Sequence, residues 1–490
     1  MYHSQYIVEH ICDSGKVLLL HMVSGQIVEK TQEMEKVLEL VNEGKGEEAS
    51  SRYAEETRIL REKKFLFGDG DEERAYVNGV LEQAYAHNLK SWTFFLHLTY
   101  DCNLACTYCN YKDIPKERKF MSLEGLENAF KVMHMVTENE ECTDVTVVLF
   151  GGEPFLPDNR QVIERFFVGY REFMDWNKRK NIQTNLIAFS NGVEISNNKT
   201  LLSDNHDILS AVYVTVNGPD FIHNKTRKFP DGKGSYDRSV EGVCRLLDWK
   251  IPTWLVTNIN RENMEYLPYI HGLIEEKEWN RSEYFLGCCV SRIKNRFEKD
   301  ASCLSENEFL DYIIEMRMAG KLELKYFNFE DMRILKNIMA LFHPEAAGME
   351  AGGLRNYCIY GCGNRINQYT FSADGYIYPC AASAGNIKYA IGQFQLEKEI
   401  CLAAEKGDCW TKKTVFEKNR CRQCKTAFVC GGGCPLESRE KNKFWDIPFC
   451  PEAEKIVHSY FQCMEKGIPF LNRETVYESG GNACILPNTL

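Results

Sequence analysis

The chain has 490 residues, enough for about three domains of ordinary size. Hydrophobic residues make up 44% of it and charged residues 26%, which excludes wholesale disorder. The net charge of −11 disfavours a generally basic surface for nucleic acid, and no apolar run reaches the roughly 18 residues that cross a membrane. No secretory signal pattern follows Met1, so we expect a cytoplasmic protein without a membrane or nucleic-acid partner.

Residues 1–88 are predicted to form a small domain of their own. Short apolar stretches predict three strands, and apolar residues at helical spacing then predict two helices. These elements are predicted at residues 6–8, 16–20, 25–28, 34–41 and 52–60. Three strands followed by helices fit a winged-helix-like domain. The acidic stretch over residues 68–74 is predicted to be a solvated turn.

Residues 89–300 alternate between apolar stretches of strand length and longer segments compatible with helices. Strands are predicted at residues 92–100, 145–150, 186–189, 211–214 and 254–256, and helices at 122–137 and 161–176. Repeated strand–helix–strand units predict a parallel sheet, either a barrel or a doubly wound sheet. In both arrangements ligands bind at the C-terminal ends of the strands. Residues 301–355 are predicted to be helical.

The 21 cysteines are far more than a chain of this length usually carries. A secreted disulfide scaffold would be short, so grouped cysteines here point to metal binding or redox chemistry. Cys102, Cys106 and Cys109 directly follow the first predicted strand of the alternating region. Three thiolates on one loop can hold three irons of a [4Fe–4S] cluster and leave the fourth iron open to a ligand. A zinc loop with a distant fourth ligand is the alternative.

The CxxxCxxC spacing over residues 102–109 resembles the signature of radical S-adenosylmethionine (radical SAM) enzymes. Tyr108, beside the last cysteine, is expected to shield the cluster. Gly151, Gly152 and Glu153 end the second strand, and a matching motif contacts the amino group of the cofactor in that family.

Ser190 and Asn191 end the next predicted strand and, by the same resemblance, are placed to bond the ribose hydroxyls of the cofactor. Both this motif and the glycine motif are also common turns when they occur alone. Their order at the ends of successive strands is what favours the radical SAM interpretation.

Residues 217–236 resemble a further block of the peptide- and protein-modifying branch of this family. That branch usually has Asp-Gly-Pro where this chain has Asn217, and an amide cannot act as a general base. Arg227 is expected to pair with the cofactor carboxylate through two parallel hydrogen bonds, with a surface arginine as the alternative. The glycine-rich residues 232–235 are expected to form a turn.

Eight cysteines in the C-terminal third resemble the SPASM domain, an appendage that usually holds two auxiliary [4Fe–4S] clusters. The resemblance implies an inner cluster held by Cys358, Cys362, Cys380 and Cys434, or one with an open site if Cys358 is not a ligand. It implies an outer cluster held by Cys421, Cys424, Cys430 and Cys450, with Cys463 as a substitute for the last. Two structural zinc sites are the alternative. Four other cysteines are expected to be small buried hydrophobic residues: Cys12, Cys142, Cys244 and Cys303.

The sequence is thus identified as similar to radical SAM/SPASM peptide maturases, and the resemblance covers residues 90–460. It implies an α/β fold with a partial (β/α)6 TIM-like radical SAM barrel. The implied domains are a winged-helix-like, leader-peptide-binding domain (1–88), the barrel (89–300), a helical bridge (301–355), the iron–sulfur SPASM domain (356–465) and a tail (466–490).

The implied cofactors are S-adenosylmethionine and three [4Fe–4S] clusters, which together generate a 5′-deoxyadenosyl radical that abstracts a substrate hydrogen. The implied activity is thioether crosslinking of cysteine thiols in a ribosomally made precursor peptide with a leader segment, as in sactipeptide and ranthipeptide maturation. The alternatives are formylglycine formation by a sulfatase-maturating enzyme, carbon–carbon crosslinking, and a non-catalytic iron–sulfur or zinc protein. A low-potential electron donor such as flavodoxin or ferredoxin is implied as well.

Overall fold

The computed structural model describes residues 1–88, 90–111, 114, 120–139, 141–293, 302–329, 332–343, 358–359, 367–394, 414–418, 420–444 and 447–468. None of the helices in these ranges is long and apolar enough to cross a membrane.

The N-terminal part contains the three predicted strands as an antiparallel sheet, together with both predicted helices. Its elements are β1 (Tyr2–His3), β2 (Ile7–Ile11), β3 (Val17–His21), β4 (Ile27–Glu29), α1 (Gln32–Asn42), α2 (Gly46–Arg52), α3 (Ala54–Glu62), β5 (Leu66–Phe67) and α4 (Gly70–Asn88). The sheet order is β2-β3-β4, and β1 pairs with β5. Buried Met34, Val37 and Val41 lie on one side of α1, and they pack with Leu19 and Leu60 into a core of this part.

The prediction of a solvated turn over residues 68–74 is wrong, because α4 begins inside this stretch. One carboxylate oxygen of Asp69 accepts the backbone N–H groups of Asp71 and Glu72, each at 2.9 Å. A side chain that accepts from the first turn caps a helix, and acidic residues there are favoured by the helix dipole. The acidic run is therefore the first turn of a helix.

The central part is a parallel sheet with helices between its strands. Its elements are β6 (Ser91–His97), α5 (Leu123–Asn139), β7 (Asp144–Leu149), α6 (Arg160–Arg179), β8 (Gln183–Ser190), α7 (Lys199–Ser203), β9 (Ala211–Thr215), α8 (Asp220–Thr226), α9 (Tyr236–Asp248), β10 (Thr253–Ile259), α10 (Leu267–Glu276) and β11 (Phe285–Arg292). Strands β6 to β11 lie side by side in chain order and all run parallel. The predicted α/β fold with a parallel sheet is confirmed.

Both faces of this sheet are buried, which explains why the sequences of its strands are continuous runs of apolar residues. On β6, Phe94 and Leu96 belong to the large core that includes the helices, whereas Phe95 points to the opposite face. The inner-face core is made of buried residues from successive strands and one residue of the C-terminal part: Phe95, Val148, Ile187, Ala211, Tyr213, Trp254, Val256, Cys289 and Ala381.

The C-terminal part extends both edges of the central sheet. Its elements are α11 (Glu306–Met318), β12 (Phe327–Asn328), α12 (Arg333–Phe342), β13 (Gln368–Ser372), β14 (Tyr376–Tyr378), β15 (Gly392–Gln393), α13 (Ala427–Cys430), α14 (Pro435–Asn442) and α15 (Ala453–Glu465). Strand β12 pairs with β11, and β13 pairs parallel with β6. The predicted helical segment 301–355 thus also contains a strand, which covers backbone groups that the edge strand β11 would otherwise expose.

One close helix–loop contact in this fold is testable by substitution. Gly242 in α9 lies so close to the loop after β8 that an added Cβ would come within 2.4 Å of the Gly192 carbonyl oxygen. We expect Gly242→Ala to lower the free energy of unfolding by about 1–3 kcal/mol, as overpacking usually does. The measurement is chemical denaturation of the purified protein.

Gly79→Ala is the matched control, because it is also a helical glycine and an added Cβ there meets nothing within 4 Å. This control should gain about 0.4–1 kcal/mol from the reduced entropy of the unfolded chain. Equal effects at the two positions would contradict the packing of α9 against the loop after β8.

Candidate functional site

A cavity of about 780 Å³ opens at the C-terminal ends of the parallel strands. The end of each of the six strands, or the loop after it, contributes to the cavity wall. From β6 to β11, such lining residues are Cys106, Gly152, Asn191, Thr215, Asn258 and Ser291. This is the edge of the sheet at which a parallel α/β fold is expected to bind its ligand.

The three cysteines of the loop after β6, Cys102, Cys106 and Cys109, all line this cavity. The backbone N–H of Leu104 donates to Cys102 Sγ at 3.4 Å, and the N–H of Tyr111 donates to Cys109 Sγ at 3.4 Å. Such hydrogen bonds favour the thiolate that a metal requires. In the metal-free protein, burial and then the nearby Glu153 carboxylate raise the pKa of Cys102 to about 12.

The cysteine loop is held by backbone pairing with residues 226–228, at the end of α8 and just after it. The N–H of Ala105 donates to the Lys228 carbonyl oxygen at 2.7 Å, and the N–H of Thr107 donates to that of Thr226 at 3.0 Å. The residues that follow form the predicted turn, in which Gly232 has a φ of +89°. The loop is thereby positioned without using any of its sulfurs.

Gly151 and Gly152 form a cradle beside the cysteine loop. Gly151 has a φ of +108°, and a Cβ on Gly152 would lie 2.0 Å from the Asp101 carbonyl oxygen. The N–H of Gly152 donates to the Thr99 carbonyl oxygen at 2.9 Å. The loops after β6 and β7 thus touch through their backbones, which only glycine permits at these positions. The cradle leaves backbone atoms open to a ligand in the cavity.

Glu153 joins the ends of β7 and β8. Its side chain is almost fully buried, with one oxygen accepting from Ser190 Oγ at 3.0 Å and the other from the Asn191 N–H at 2.7 Å. Burial raises the pKa of this carboxyl to about 7, although these hydrogen bonds oppose the rise. Glu153 therefore links the motif at the end of β7 to the motif at the end of β8, and its carboxylate oxygens accept hydrogen bonds from the protein itself.

Asn191 connects the end of β8 to the cysteine loop. Its Nδ2 donates to Asn103 Oδ1 at 2.7 Å and approaches Cys102 Sγ at 3.5 Å. Asn103 in turn donates to Glu194 at 2.9 Å. Sequence reasoning missed Asn103, since nothing separates it from any polar residue between two cysteines.

Tyr108 also connects the cysteine loop to the ends of the strands. Its hydroxyl oxygen accepts from Asn217 Nδ2 at 2.8 Å and from Arg227 Nη1 at 2.9 Å. Asn217 Oδ1 accepts the N–H of Asn258, on β10, at 3.0 Å. An aspartate could not donate to Tyr108 and accept from Asn258 at once. The amide that departs from the family pattern thus has a positioning role here.

Arg227 is buried against the cavity without an anionic partner. It is 7% exposed, its Nε has no hydrogen-bond partner, and it forms no ion pair with any described residue. Burial works against its charge, but the neighbouring Tyr108 oxygen and Cys106 sulfur keep its pKa above the ordinary value. A buried, unpaired cation is costly, so the site favours an anionic ligand such as a carboxylate.

His223 and Ser235 fix the backbone on both sides of Arg227. His223 Nδ1 accepts the Asn217 N–H at 3.2 Å, so its Nε2 carries the proton and donates to Ser235 Oγ at 3.0 Å. Ser235 Oγ donates to the Arg227 carbonyl oxygen at 2.9 Å. Burial, and then the charge of Arg227, lower the pKa of His223 to about 2. The imidazole is therefore neutral and structural.

The C-terminal part closes one side of the cavity. Ala382 lines it, two residues after Cys380, and Tyr111 of the cysteine loop donates its hydroxyl to the Ala381 carbonyl oxygen at 3.1 Å. Sequence reasoning missed Tyr111 and Ala382. The signal for Tyr111 was its position two residues after Cys109.

The remaining predicted cysteine ligands fall into neighbouring groups. Cys380 and Cys434 pack in one apolar cluster. Burial raises the pKa of Cys421 to about 11, and Cys424 and Cys450 act on it in the same direction. Cys358 lies within electrostatic reach of Cys430. Cys463 is buried in the core with α15, whereas Cys450 is the one near Cys421, and Cys362 lies outside the described residues.

Comparison with known proteins gives a consistent result. Residues 96–273 match the Radical SAM superfamily. A cysteine-type anaerobic sulfatase-maturating enzyme of Clostridium novyi (strain NT) is 22% identical over 383 residues, which cover 75% of this chain and 92% of that protein. A serine-type enzyme of Bacteroides thetaiotaomicron is also 22% identical, over 76% of this chain and 89% of its own length.

The fold matches a solved structure as well. The structure of native anSMEcpe with bound AdoMet and the Cp18Cys peptide superposes with a TM-score of 0.51 at 19% identity, covering 77% of this chain and 97% of that one. At this identity the likeness bears on the fold alone. Together with the match over residues 96–273, it identifies these residues as a radical SAM domain, a type of domain that binds a [4Fe–4S] cluster and S-adenosylmethionine, in a chain that is similar to the anaerobic sulfatase-maturating enzymes.

Proposed function

We propose that the protein is a peptide maturase that forms thioether crosslinks from cysteine thiols in a ribosomally made precursor. The observation that carries this proposal is the shared cavity, in which the cysteine loop forms one wall and Ala382, next to the Cys380 segment, forms another. A reaction that needs both a radical source and an electron acceptor would have both beside one substrate.

The described residues fit the two cofactors of the radical reaction. Cys102, Cys106 and Cys109 would hold the cluster, and Arg227 would pair with the carboxylate of S-adenosylmethionine. The cradle at Gly151 and Gly152 offers backbone atoms to its polar groups. When bound, these cofactors supply a 5′-deoxyadenosyl radical that abstracts a hydrogen atom from the substrate.

The apolar walls of the cavity suit radical chemistry. Phe150, Phe189, Val256 and Ile293 line it, from the ends of four different strands. Apolar walls at these positions keep water away from a reactive intermediate. Tyr111, whose hydroxyl is tied to the Ala381 carbonyl oxygen, holds the cysteine loop against the opposite wall.

The oxidation state of a thioether link calls for an electron acceptor. Forming the link removes a hydrogen atom from a carbon, a proton from the thiol and one further electron from the substrate. In our proposal the eight C-terminal cysteines hold two auxiliary clusters as assigned in the sequence analysis, with the Cys380 cluster nearer the cavity. A small low-potential protein such as flavodoxin or ferredoxin would supply the electron that starts each turnover.

Sulfatase maturation is the second candidate, because the relatives reported above have that activity. Among the described lining residues the carboxylates are Asp101 and Glu153, both at the cysteine-loop end. The wall formed by the ends of β9, β10 and β11 carries Thr215, Asn258 and Ser291, which are neutral. A serine hydroxyl would need a strong base there, whereas a thiol loses its proton at a pKa of about 8.5. The cavity therefore favours a cysteine over a serine substrate, which disfavours serine-type maturation but is compatible with the cysteine type.

The N-terminal part supplies a surface for a leader segment in this proposal. Within the described ranges β4 pairs only with β3, so its outer edge is open. An extended peptide can add to such an edge through main-chain hydrogen bonds. The other outer strand, β2, lies against α15. We therefore place the leader at β4.

The catalytic assignment of the cysteine loop predicts a selective loss. Cys106→Ala should abolish reductive cleavage of S-adenosylmethionine while about two thirds of the iron of a three-cluster enzyme remains, because the auxiliary ligands are untouched. Cleavage is measured by chromatography of 5′-deoxyadenosine, and iron by elemental analysis. Cys244→Ala is the control, since its thiol accepts from Trp279 outside the cavity. Surviving cleavage in Cys106→Ala would contradict the assignment.

The role given to Arg227 predicts weaker cofactor binding in a charge-conserving variant. Arg227→Lys keeps the positive charge but loses the paired N–H geometry. We expect the dissociation constant of S-adenosylmethionine to rise about 10- to 100-fold, the equivalent of one charged hydrogen bond. Equilibrium binding to the cluster-loaded enzyme measures it. Arg238→Lys, at a half-exposed arginine of α9, is the control, and equal affinities would refute the carboxylate contact.

The product distinguishes the two candidate functions. The enzyme is co-expressed in anaerobic cells with a short cysteine-containing reading frame adjacent to its gene, and the recovered peptide is analysed by intact mass and fragmentation. We expect loss of two hydrogens per link, with sulfur retained and thiols protected from alkylation. The Cys106→Ala enzyme is the control. Loss of sulfur with a new aldehyde would instead establish formylglycine formation.

A further inference from the structure

A second group of metal-ligating side chains lies outside the cavity lining, between β2 and α15. It consists of His10 and Cys12, at the end of β2, and Glu465, the last residue of α15. One ligand atom from each lies within 4.8 Å of the other two. His10 and Cys12 are two residues apart, so in extended chain their side chains point to the same side. The expectation that Cys12 is a buried hydrophobic residue is not met, because its thiol faces a carboxylate.

Hydrogen bonds hold this group together in the metal-free protein. His10 Nε2 lies 2.8 Å from Glu465 Oε1, and the Asp13 N–H donates to Glu465 Oε2 at 2.9 Å. These two contacts engage both oxygens of Glu465 and hold the carboxylate beside the other two ligands.

His458 on α15 contacts Nδ1 of His10, the ring nitrogen that does not face Glu465. The two Nδ1 atoms are 3.2 Å apart and the rings stack with an interplanar angle of 24°. If His10 donates its Nδ1 proton to His458, the lone pair of Nε2 is free for a metal. Metal-bound histidines usually donate their other ring N–H to an acceptor that orients the ring, and His458 Nδ1 offers an acceptor at this position. His10 itself is buried, so its ring has little freedom to turn away.

We propose that His10 Nε2, Cys12 Sγ and a Glu465 carboxylate oxygen bind one Zn²⁺ ion, with water as the fourth ligand. One imidazole, one thiolate and one carboxylate are ligands that Zn²⁺ accepts in tetrahedral sites. The three atoms are too close together for separate irons of a cluster. Binding releases the thiol proton of Cys12 to solvent and involves no oxidation or reduction.

The site would act as a clamp between the two ends of the chain. Its ligands come from positions 455 residues apart, on the N-terminal sheet and on the last described helix. Charged or titratable groups that meet across this junction include the three side chains, His458 beside His10, and Lys466, whose Nζ lies 3.7 Å from Asp13. A bound ion would fix the N-terminal domain against α15 and leave the β4 edge free.

Zinc content and coordination of the cluster-loaded enzyme test the proposal. The anaerobic protein is incubated with one equivalent of ZnCl₂, freed of unbound metal and analysed by elemental analysis and Zn K-edge X-ray absorption. We expect about one zinc per chain with one sulfur and otherwise nitrogen and oxygen ligands. Cys12→Ser should remove the sulfur contribution, and Glu465→Gln should lower zinc retention, whereas Glu454→Gln on the same helix should change neither.

His458→Ala separates a metal site from a hydrogen-bonded junction. Loss of an outer partner should weaken Zn²⁺ affinity about 10- to 100-fold while the one-sulfur coordination stays the same. Zinc should also raise the melting temperature of the unaltered enzyme but not that of Cys12→Ser. Absence of zinc above the level in Glu465→Gln would overturn the proposal. Zinc bound by four sulfurs would overturn it too, because the ion would then occupy a cysteine cluster site.

Discussion

Parallel hydrogen bonding from β6 to β11 sends six strand ends to one edge of the sheet, and the cavity exists only because of that alignment. Each strand end delivers a short loop, and the loops are held together by backbone contacts and buried polar side chains. The closest contact is at Gly152, where no side chain could fit against the Asp101 carbonyl oxygen. If the register of β6 and β7 changed by one residue, this contact would be lost and the cysteine loop would move relative to the rest of the site.

Three buried polar residues hold the aligned strand ends and the cysteine loop in fixed positions around the cavity. Glu153 joins the ends of β7 and β8, Asn217 joins β9 and β10 to the cysteine loop, and Asn191 reaches the first cysteine. Each satisfies several partners at once, so each is costly to replace by a residue that satisfies fewer. Arg227 is different, because its Nε is unpaired and its buried charge has no carboxylate partner among the described residues. Such a group costs stability in the free protein, and a cofactor carboxylate would recover that cost on binding.

The C-terminal part is continuous with the central sheet that it follows. Strand β13 extends the sheet beyond β6, and Ala381 belongs to the inner-face core of that sheet. The wall near Cys380 is therefore connected to the same sheet as the cysteine loop, and Tyr111 bonds directly to it. The contact between β2 and α15 links the N-terminal part to this assembly at its far end. In the proposed maturase, this arrangement would keep leader recognition, radical chemistry and electron acceptance in fixed relative positions.

The sequence by itself determined the local features: the strand and helix order, the cysteine loop, and the motifs at the ends of β7 and β8. These follow from periodicity and short spacings, which are properties of neighbouring residues. One local prediction from the sequence was wrong: the acidic residues after Gly68 were predicted to form a turn, but Asp69 caps α4 and they form its first turn. Only the tertiary structure decided which distant residues meet. Asn217 opposite Tyr108, Ala382 beside the cysteine loop, and Cys12 facing Glu465 are contacts between segments far apart in the chain. Spacing along the sequence carries no information on such contacts, because they depend on how the strands and helices pack.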